Sequence, residues 1–549
     1  MIQLALLPPP KDKARQWARL LLFAAPPAFG ALALWLGQDA NWDLRNYHWY
    51  NAYAFLNGRH GFDLLPSQTP FFYSPILDVP AYVLGQLLPA RALGFILGAV
   101  QGLNFCLLFM LAHALLNIPK SAQRVGMAAA LAALGMLGGG GIAQIGTTFN
   151  DNIVSLGILA SLLLAATAMP YLFKLPMHQV LPRVLLYGLP AGLAIGLKLT
   201  AVFYGAGIAL AWLGVGGSFR RRWQLMLAFG GGMALGVLLT QGYWMWFLWT
   251  HYDNPMFPYF NQFFRSPLAP LTSARDMQFV PGNWRDALTL PLRFAANPQL
   301  VGEIDWRDWR IPMLYLLLPL CSMVAVVIGR RRDRMPFAPV TPSRYLLWAA
   351  GLSYAGWLLL FSVYRYLVVL EMLAPMLIAL CVGMLPLARQ AQYVILGALL
   401  LTAAASVRPG DWGRVDWSGK FVEVTAAEIP ALETATTLLM AGYEPYAHVI
   451  PSMLPSMPVI RLQSNFTNPS KGDRGMNRRI RERIVAHPGD FLLLLPSWQI
   501  PHSQDIQIAL AAYNLQFNPK NCPNFHDNLG YAYAICKVQR VAPKAPDDE

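Results

Sequence analysis

Charge is what this sequence is short of. Only 13% of its 549 residues are Asp, Glu, Lys or Arg, whereas a soluble globular domain carries about a quarter. Set against a hydrophobic share of 56%, that deficit excludes an ordinary soluble globule, because the apolar excess has to face something other than water. Acids are scarcer than bases, 28 against 42. The resulting +14 is not spread as a nucleic-acid footprint would be. It falls in short clusters between apolar runs, such as Arg220-Arg221-Arg222 and Arg330-Arg331-Arg332, the pattern of cytoplasmic loops under the positive-inside rule. No nucleic-acid partner is expected. Cysteine is sparse, at five residues, and no Cys/His spacing suggests a zinc site. Internal repeats and low-complexity segments are missing. The basic residues Lys11, Lys13, Arg15 and Arg19 precede an apolar stretch without a clear small-residue cleavage site, so that stretch reads as a retained first helix.

What is present in quantity is long apolar runs. A membrane span needs roughly 20 mostly apolar residues. Such runs give candidate spans at 20–36, 91–116, 125–145, 152–169, 184–198, 200–216, 224–247, 311–329, 345–363, 367–387 and 392–408. The run 184–216 is too long for one helix and divides at Gly196-Leu197-Lys198-Leu199-Thr200. The run 76–89 is short, contains Asp78 and Pro80, and reads as a buried or interfacial segment. With the N-terminus inside, the inside segments 1–19, 117–124, 170–183, 217–223, 330–344 and 388–391 hold seventeen Lys or Arg and only two acids, Asp12 and Asp333. The segments 37–75 and 248–310 then lie outside. They are mixed in sign and rich in Trp, Tyr, Asn and Pro.

The tail 409–549 also falls outside. A helical pattern at Thr425–Met440 is followed by β-like runs at Ala447–Ile450, Val459–Leu462, Phe491–Leu495 and Tyr531–Val538, with a basic helix-like stretch at Met476–Ala486. Strands alternating with helices suggest a small α/β domain. Cys522 and Cys536 both lie in it; an oxidising compartment permits a bridge there, the alternative being two free thiols. Cys106, Cys321 and Cys381 lie in spans, where cysteine behaves as a small apolar residue. The expected fold is mainly α: a polytopic membrane protein with about eleven transmembrane helices in residues 1–408 and a soluble α/β domain in 409–549. Its expected location is a bacterial inner membrane, with the N-terminus cytoplasmic and the tail periplasmic.

The first outer loop is the most unusual stretch. Between Gln38 and Tyr53 it packs Asp39, Asp43, Arg45 and His48 among Trp42, Tyr47, Trp49, Tyr50 and Tyr53, with Asn51 close by. On a helix Asp43 and Tyr47 share a face, as do Tyr47 and Asn51. Aromatic rings suit sugar faces and also anchor proteins at the membrane interface. An aromatic belt with solvated charges would explain the Trp and Tyr; it explains the interleaved acid, Arg and His less well. On the same expected side lie Asn150-Asp151-Asn152, Lys198 in the turn between two spans, and Arg365 in Ser362-Val363-Tyr364-Arg365-Tyr366, with Glu371 beyond it. Charges at membrane depth are expensive and usually face a cavity or a partner, although Arg365 could also snorkel to headgroups. The prolines and aromatics of 248–310 suggest either an ordered cover or a structural interfacial loop.

The layout of one span followed by an outer loop with Asp43-Leu44-Arg45-Asn46-Tyr47-His48, together with Phe71-Phe72-Tyr73-Ser74-Pro75 and Asp78, Gly196-Leu197-Lys198-Leu199-Thr200 and Arg365, resembles the integral-membrane glycosyltransferases of the GT-C fold. Within them it is most similar to the bacterial polyprenyl-phosphate-sugar-dependent group that includes the family 87 mannosyltransferases. The resemblance covers roughly residues 1–408 and does not reach the tail. It departs from some relatives in lacking an Asp-Glu pair, since Leu44 follows Asp43, which leaves Asp39 and Asp151 as rival acids. It implies an inverting transfer from a polyprenyl-phosphate-linked sugar donor to a glycan, glycolipid or protein acceptor, with fixed cations meeting the departing lipid phosphate, so that no metal and no cofactor is expected. Asp43 would be the general base and Asp151 an alternative or supporting acid. Lys198, Arg365, Arg45 and His48 would hold the donor phosphate, and Tyr47, Tyr50 and Asn51 would contact substrate. Two other functions stay open: a transporter or flippase, and a polysaccharide polymerase or ligase, the latter kept alive by Arg265, Arg275, Arg285, Arg293, Arg307 and Arg310.

Overall fold

The structure, a computed structural model, describes residues 13–272, 274–328, 337–425 and 436–541. The expected basic cluster at Arg330-Arg331-Arg332 lies outside them. Seven helices among the described residues are long and apolar enough to cross a membrane: Lys13–Leu36, Ala90–Leu115, Asp151–Leu172, Met177–Leu197, Phe219–Tyr252, Arg310–Val327 and Tyr364–Met384. The other four expected spans also fall on helices, Ser121–Met136, Leu199–Gly214, Val340–Leu360 and Arg389–Ser406. These are shorter or less apolar, so length and composition support seven crossings and the count of eleven stays an expectation. The protein is a mainly helical, multi-pass membrane protein.

The chain forms two compact units. The first comprises Met1–Leu36, Gly94–Gly242 and Asp276–Trp412, and it contains most of the apolar helices. One of its helix pairs is built on glycine. Gly188, Gly192 and Gly196 recur every fourth residue along Met177–Leu197, and residues on one helical face recur at that spacing. A Cβ at Gly188 would run into the Phe229 carbonyl, one at Gly192 into the Met233 carbonyl, and one at Gly196 into Thr240. From the opposite helix, a Cβ at Gly232 would meet the Leu185 carbonyl. The two backbones therefore touch, which no larger residue permits. The division expected at 196–200 is real: Lys198 takes an extended conformation (φ −146°, ψ 104°) and ends the helix, and a short 3₁₀ turn, Leu199–Ala201, starts the next.

The second unit comprises Gly37–Leu93, Tyr243–Arg275 and Gly413–Glu549. The tail therefore shares its core with the first loop instead of standing as a free domain. Tyr50, Phe71, Trp244, Leu438, Ile460 and Leu493 belong to one buried cluster. Two strand pairings tie the pieces together, Gln38–Asp39 with Arg414–Val415 and Leu64 with Ile460. The sheet runs in the order Val459–Arg461, Thr437–Met440, Phe491–Pro496, Ala532–Arg540, Leu515–Phe517, with Asn524–His526 also on Ala532–Arg540. Thr437–Met440 is parallel to both its neighbours, and Ala532–Arg540 is antiparallel to Phe491–Pro496. Helix Met476–Ala486 lies where the sequence places it.

Two local expectations change. The helix expected over 425–440 ends in a strand, Thr437–Met440, and 426–435 lie outside the described residues. A strand buried on both faces is a continuous apolar run that periodicity cannot tell from a helix. The β-like run Ala447–Ile450 is a 3₁₀ helix, Ala447–Ser452, whose Pro451 has no N–H to give to a sheet. Cys522 and Cys536 are joined by a disulfide.

Candidate functional site

The expected site residues divide between the two units. In the first, Asp151, Lys198 and Arg365 come together. Asp151 is the first residue of its helix, where a carboxylate is favoured by the helix dipole. Asn150 before it is held in the left-handed region at φ 67°, a conformation that Asn tolerates better than most residues. Lys198 Nζ sits 2.7 Å from Asp151 Oδ1 and donates to the Phe149 carbonyl at 2.7 Å. Arg365 Nε lies 3.6 Å from Asp151 Oδ2. The Arg365 guanidinium also lies 4.4 Å from the Phe149 ring centre and 5.4 Å from that of Trp412. The three side chains are only 14%, 13% and 6% exposed for Lys198, Arg365 and Asp151. Burial keeps these charges poorly screened, so an anion entering beside them is attracted far more strongly than in water.

Two narrow clefts flank the cluster. One, with room for about a single water molecule, is lined by Asp151, Val154, Ser155, Tyr204, Tyr366 and Val368, among others, and its walls are largely apolar. The other, equally small, is lined by Gly139, Gly140, Gln144, Trp306, Arg365 and Trp412, among others. Its glycine floor has a structural reason. Glu371, fully buried, accepts hydrogen bonds from the N–H groups of Gly140 (3.0 Å) and Gly141 (2.7 Å) and from the Tyr364 hydroxyl (2.8 Å). A Cβ at Gly138 would collide with that carboxylate. Glu371 is therefore satisfied within the fold.

The second unit carries the other residues. Helical residues 42–56 include one π-helical turn, Leu44–His48, a distortion that inserts an extra residue and is frequent at functional sites. Asp43 is half-buried, and the Tyr47 hydroxyl donates to its Oδ2 at 3.2 Å, as their shared face implies. Tyr47 packs on His48 and edge-on to Tyr73. His48 Nδ1 is 2.7 Å from Asp78 Oδ1, and its buried Nε2 has no hydrogen-bond partner among the described residues. The sequence marks Asp78 as a charge in a short segment and as part of the family resemblance; that it pairs with an imidazole thirty residues earlier was not legible.

Three expected contacts are taken up inside this unit. Arg45 gives its Nε to the Ala40 carbonyl at 3.2 Å and lays its guanidinium 3.7 Å from the Tyr531 ring centre. Tyr50 is fully buried and donates to Asp63 Oδ2 at 2.6 Å. That carboxylate also receives Arg59 Nε at 2.7 Å. Asn51 is likewise buried, donating to the Pro70 carbonyl and accepting from Ser67. Tyr50 and Asn51 thus bond within the first loop. Asp39, the rival acid, is fully buried and accepts from the Asn41 backbone N–H and side-chain amide, which makes it a turn-former. Among the described residues no group of three His, Cys, Asp or Glu could hold a metal ion.

Fold and charge together define a multi-pass membrane protein with buried ionic groups at helix ends. No family model and no curated protein matches the chain. Among solved structures it is similar to the apo form of the oligosaccharyltransferase of Archaeoglobus fulgidus, with 11% identity and a TM-score of 0.43, covering 91% of this chain and 73% of that one. At those values the likeness is one of general layout and carries no functional weight.

Proposed function

We propose that this protein is an inverting glycosyltransferase that moves a sugar from a polyprenyl-phosphate carrier to an acceptor hydroxyl at the periplasmic face of a bacterial inner membrane. The acceptor class is an envelope glycan, a glycolipid or a protein. The observation that carries the reading is the convergence of Lys198 and Arg365 on Asp151 beside an apolar-walled cleft. A cation pair next to apolar helix walls suits a molecule that is phosphate at one end and hydrocarbon at the other. In the reaction the acceptor oxygen bonds to the anomeric carbon from the face opposite the phosphate, the bond from that carbon to the phosphate oxygen breaks, and the acceptor proton passes to a carboxylate. The carrier leaves as a phosphate monoester with more negative charge than it had as a diester. Fixed cations therefore bind the departing group better than the bound donor, which is where rate acceleration comes from. Arg is suited to this by its forked donors.

Asp43 is the proposed base, since it is the half-buried carboxylate of the first loop, aligned by Tyr47. Asp151, engaged with Lys198, orients the cations. The donor is its own source of the transferred group, and the scheme calls on no cofactor. The test is transfer of labelled sugar from synthetic undecaprenyl-phosphate sugars by purified protein. Asp43→Asn is expected to lose about 10²–10⁴ in turnover, the usual contribution of a positioned base, while still binding donor. Lys198→Ala and Arg365→Ala are expected to weaken binding of the carrier itself. Full activity in Asp43→Asn would transfer the base assignment to Asp151. Absence of turnover with passage of a solute into liposomes would replace the reading with a transporter.

A further inference from the structure

The short helix Trp284–Ala296, in the stretch leading to the span Arg310–Val327, presents three faces where a surface helix needs two. Leu290, Pro291 and Phe294 form its buried face, and Phe294 packs toward Trp306 and Tyr364 with ring centres 6.0 and 5.7 Å away. Arg285, Thr289 and Arg293 form a polar face. Asn283 caps the first turn by accepting from the N–H groups of Arg285 and Asp286, and Arg293 reaches back to Asp286 at 2.6 Å. The third face is apolar and open. Trp284, Leu288 and Leu292 recur every fourth residue, which aligns them along one side, and they are 70%, 57% and 45% exposed. A surface helix in water turns one apolar stripe inward and keeps the rest polar; a second, contiguous apolar stripe marks an interaction surface.

The neighbouring span indicates what covers that stripe. The Tyr315 hydroxyl, in the second turn of Arg310–Val327, donates to the Leu288 carbonyl at 2.9 Å. The next residue, Leu316, begins an exposed apolar side of the span that continues through Leu320 and Met323, the side a crossing helix turns to lipid. The open stripe of the short helix thus adjoins a lipid-facing surface. Its depth fits as well. Tyr315 lies about 8 Å along the span from Arg310 at 1.5 Å per residue, and an interfacial amphipathic helix buries its apolar face about 5–10 Å into the boundary of headgroups and acyl chains. Trp is favoured at that boundary. Arg285, with its guanidinium 5.4 Å from the Trp284 ring centre, and Arg293 stand beside the stripe, and guanidinium donors match phosphate oxygens.

We propose that helix Trp284–Ala296 is an in-plane membrane anchor that binds the phospholipid surface, with Trp284, Leu288 and Leu292 seated among the acyl chains and Arg285 and Arg293 at the lipid phosphates. The proposal rests on the multi-pass membrane class and stands apart from the glycosyltransferase reading. Single substitutions Trp284→Cys, Leu288→Cys, Leu292→Cys, Arg285→Cys, Thr289→Cys and Arg293→Cys, each spin-labelled in the full chain, test it in nanodiscs of mixed phosphatidylethanolamine and phosphatidylglycerol. The unsubstituted protein, carried through the same labelling, supplies the background from Cys106, Cys321 and Cys381. Collisions with oxygen, which concentrates in hydrocarbon, are compared with collisions with a water-soluble nickel chelate. Oxygen is expected to dominate at 284, 288 and 292, and the chelate at 285, 289 and 293. Adding Leu288→Asp, on the face turned away from Phe294, should shift positions 284 and 292 toward the chelate. Dominance of the chelate at all six positions overturns the anchor and leaves a solvated helix. Shielding of 284, 288 and 292 from both reagents overturns it too, because a protein surface would then cover the stripe.

Discussion

His60 shows how strongly one side chain can depend on what surrounds it. Its imidazole is buried among Phe71, Trp244 and Phe247, with ring centres 5.2, 4.9 and 5.9 Å away. That burial pushes its pKa from 6.5 down to about 4, against a smaller opposing pull from the Asn51 backbone. Above pH 6.5 the ring is neutral folded or unfolded. Between there and about 4, only the unfolded chain takes up the proton, so stability falls as the pH falls; below about 4 this residue costs nothing more. The full loss is on the order of 3 kcal/mol. Melting temperatures from pH 7.5 to 4 should decline in wild type and decline less in His60→Phe. The same scale shows what the sequence could and could not disclose. Asp151, Lys198 and Arg365 were legible because a charge at membrane depth is conspicuous in the sequence itself. The pairing of His48 with Asp78 was not, because thirty residues separate two side chains that only the fold brings within 2.7 Å. Tyr50 and Asn51 are ambiguous in the sequence because aromatic and amide side chains serve a packed loop as readily as a sugar.

At the level of elements, the contact between Met177–Leu197 and Phe219–Tyr252 is the most exacting. Gly192→Leu would force a side chain against the Met233 backbone, and overpacking of this kind costs about 1–3 kcal/mol or more. The variant should melt below wild type, whereas Gly230→Ala, on the second helix with open space at its Cβ position, should not. The every-fourth-residue spacing was there to be read, but which helix faces it was not. Helix Met476–Ala486 was recovered to the residue because its Ile480 and Ile484 are buried while its arginines give it a polar face. Thr437–Met440 was misread because four buried residues in a row carry no period at all.

For the whole molecule, the disulfide Cys522–Cys536 closes a loop of 14 residues' separation. Loss of a bridge over such a loop costs about 3 kcal/mol, so Cys522→Ser with Cys536→Ser, or reductant, should lower the melting temperature. A bridge of this kind persists where the surroundings are oxidising. In the proposed topology a reporter fused after the tail is therefore active only on the side away from the N-terminus; activity on the same side would remove the odd span count and with it the periplasmic assignment. Composition and apolar runs disclosed the membrane class. They did not disclose that Gly37–Leu93 and Gly413–Glu549 form one unit, because pairings such as Gln38 with Val415 join residues hundreds of positions apart. The glycine seam also constrains traffic through the protein. Where two helices touch backbone to backbone, no hydrocarbon chain can slip between them, so in the proposed reaction the carrier's lipid tail has to lie against some other face of the helices.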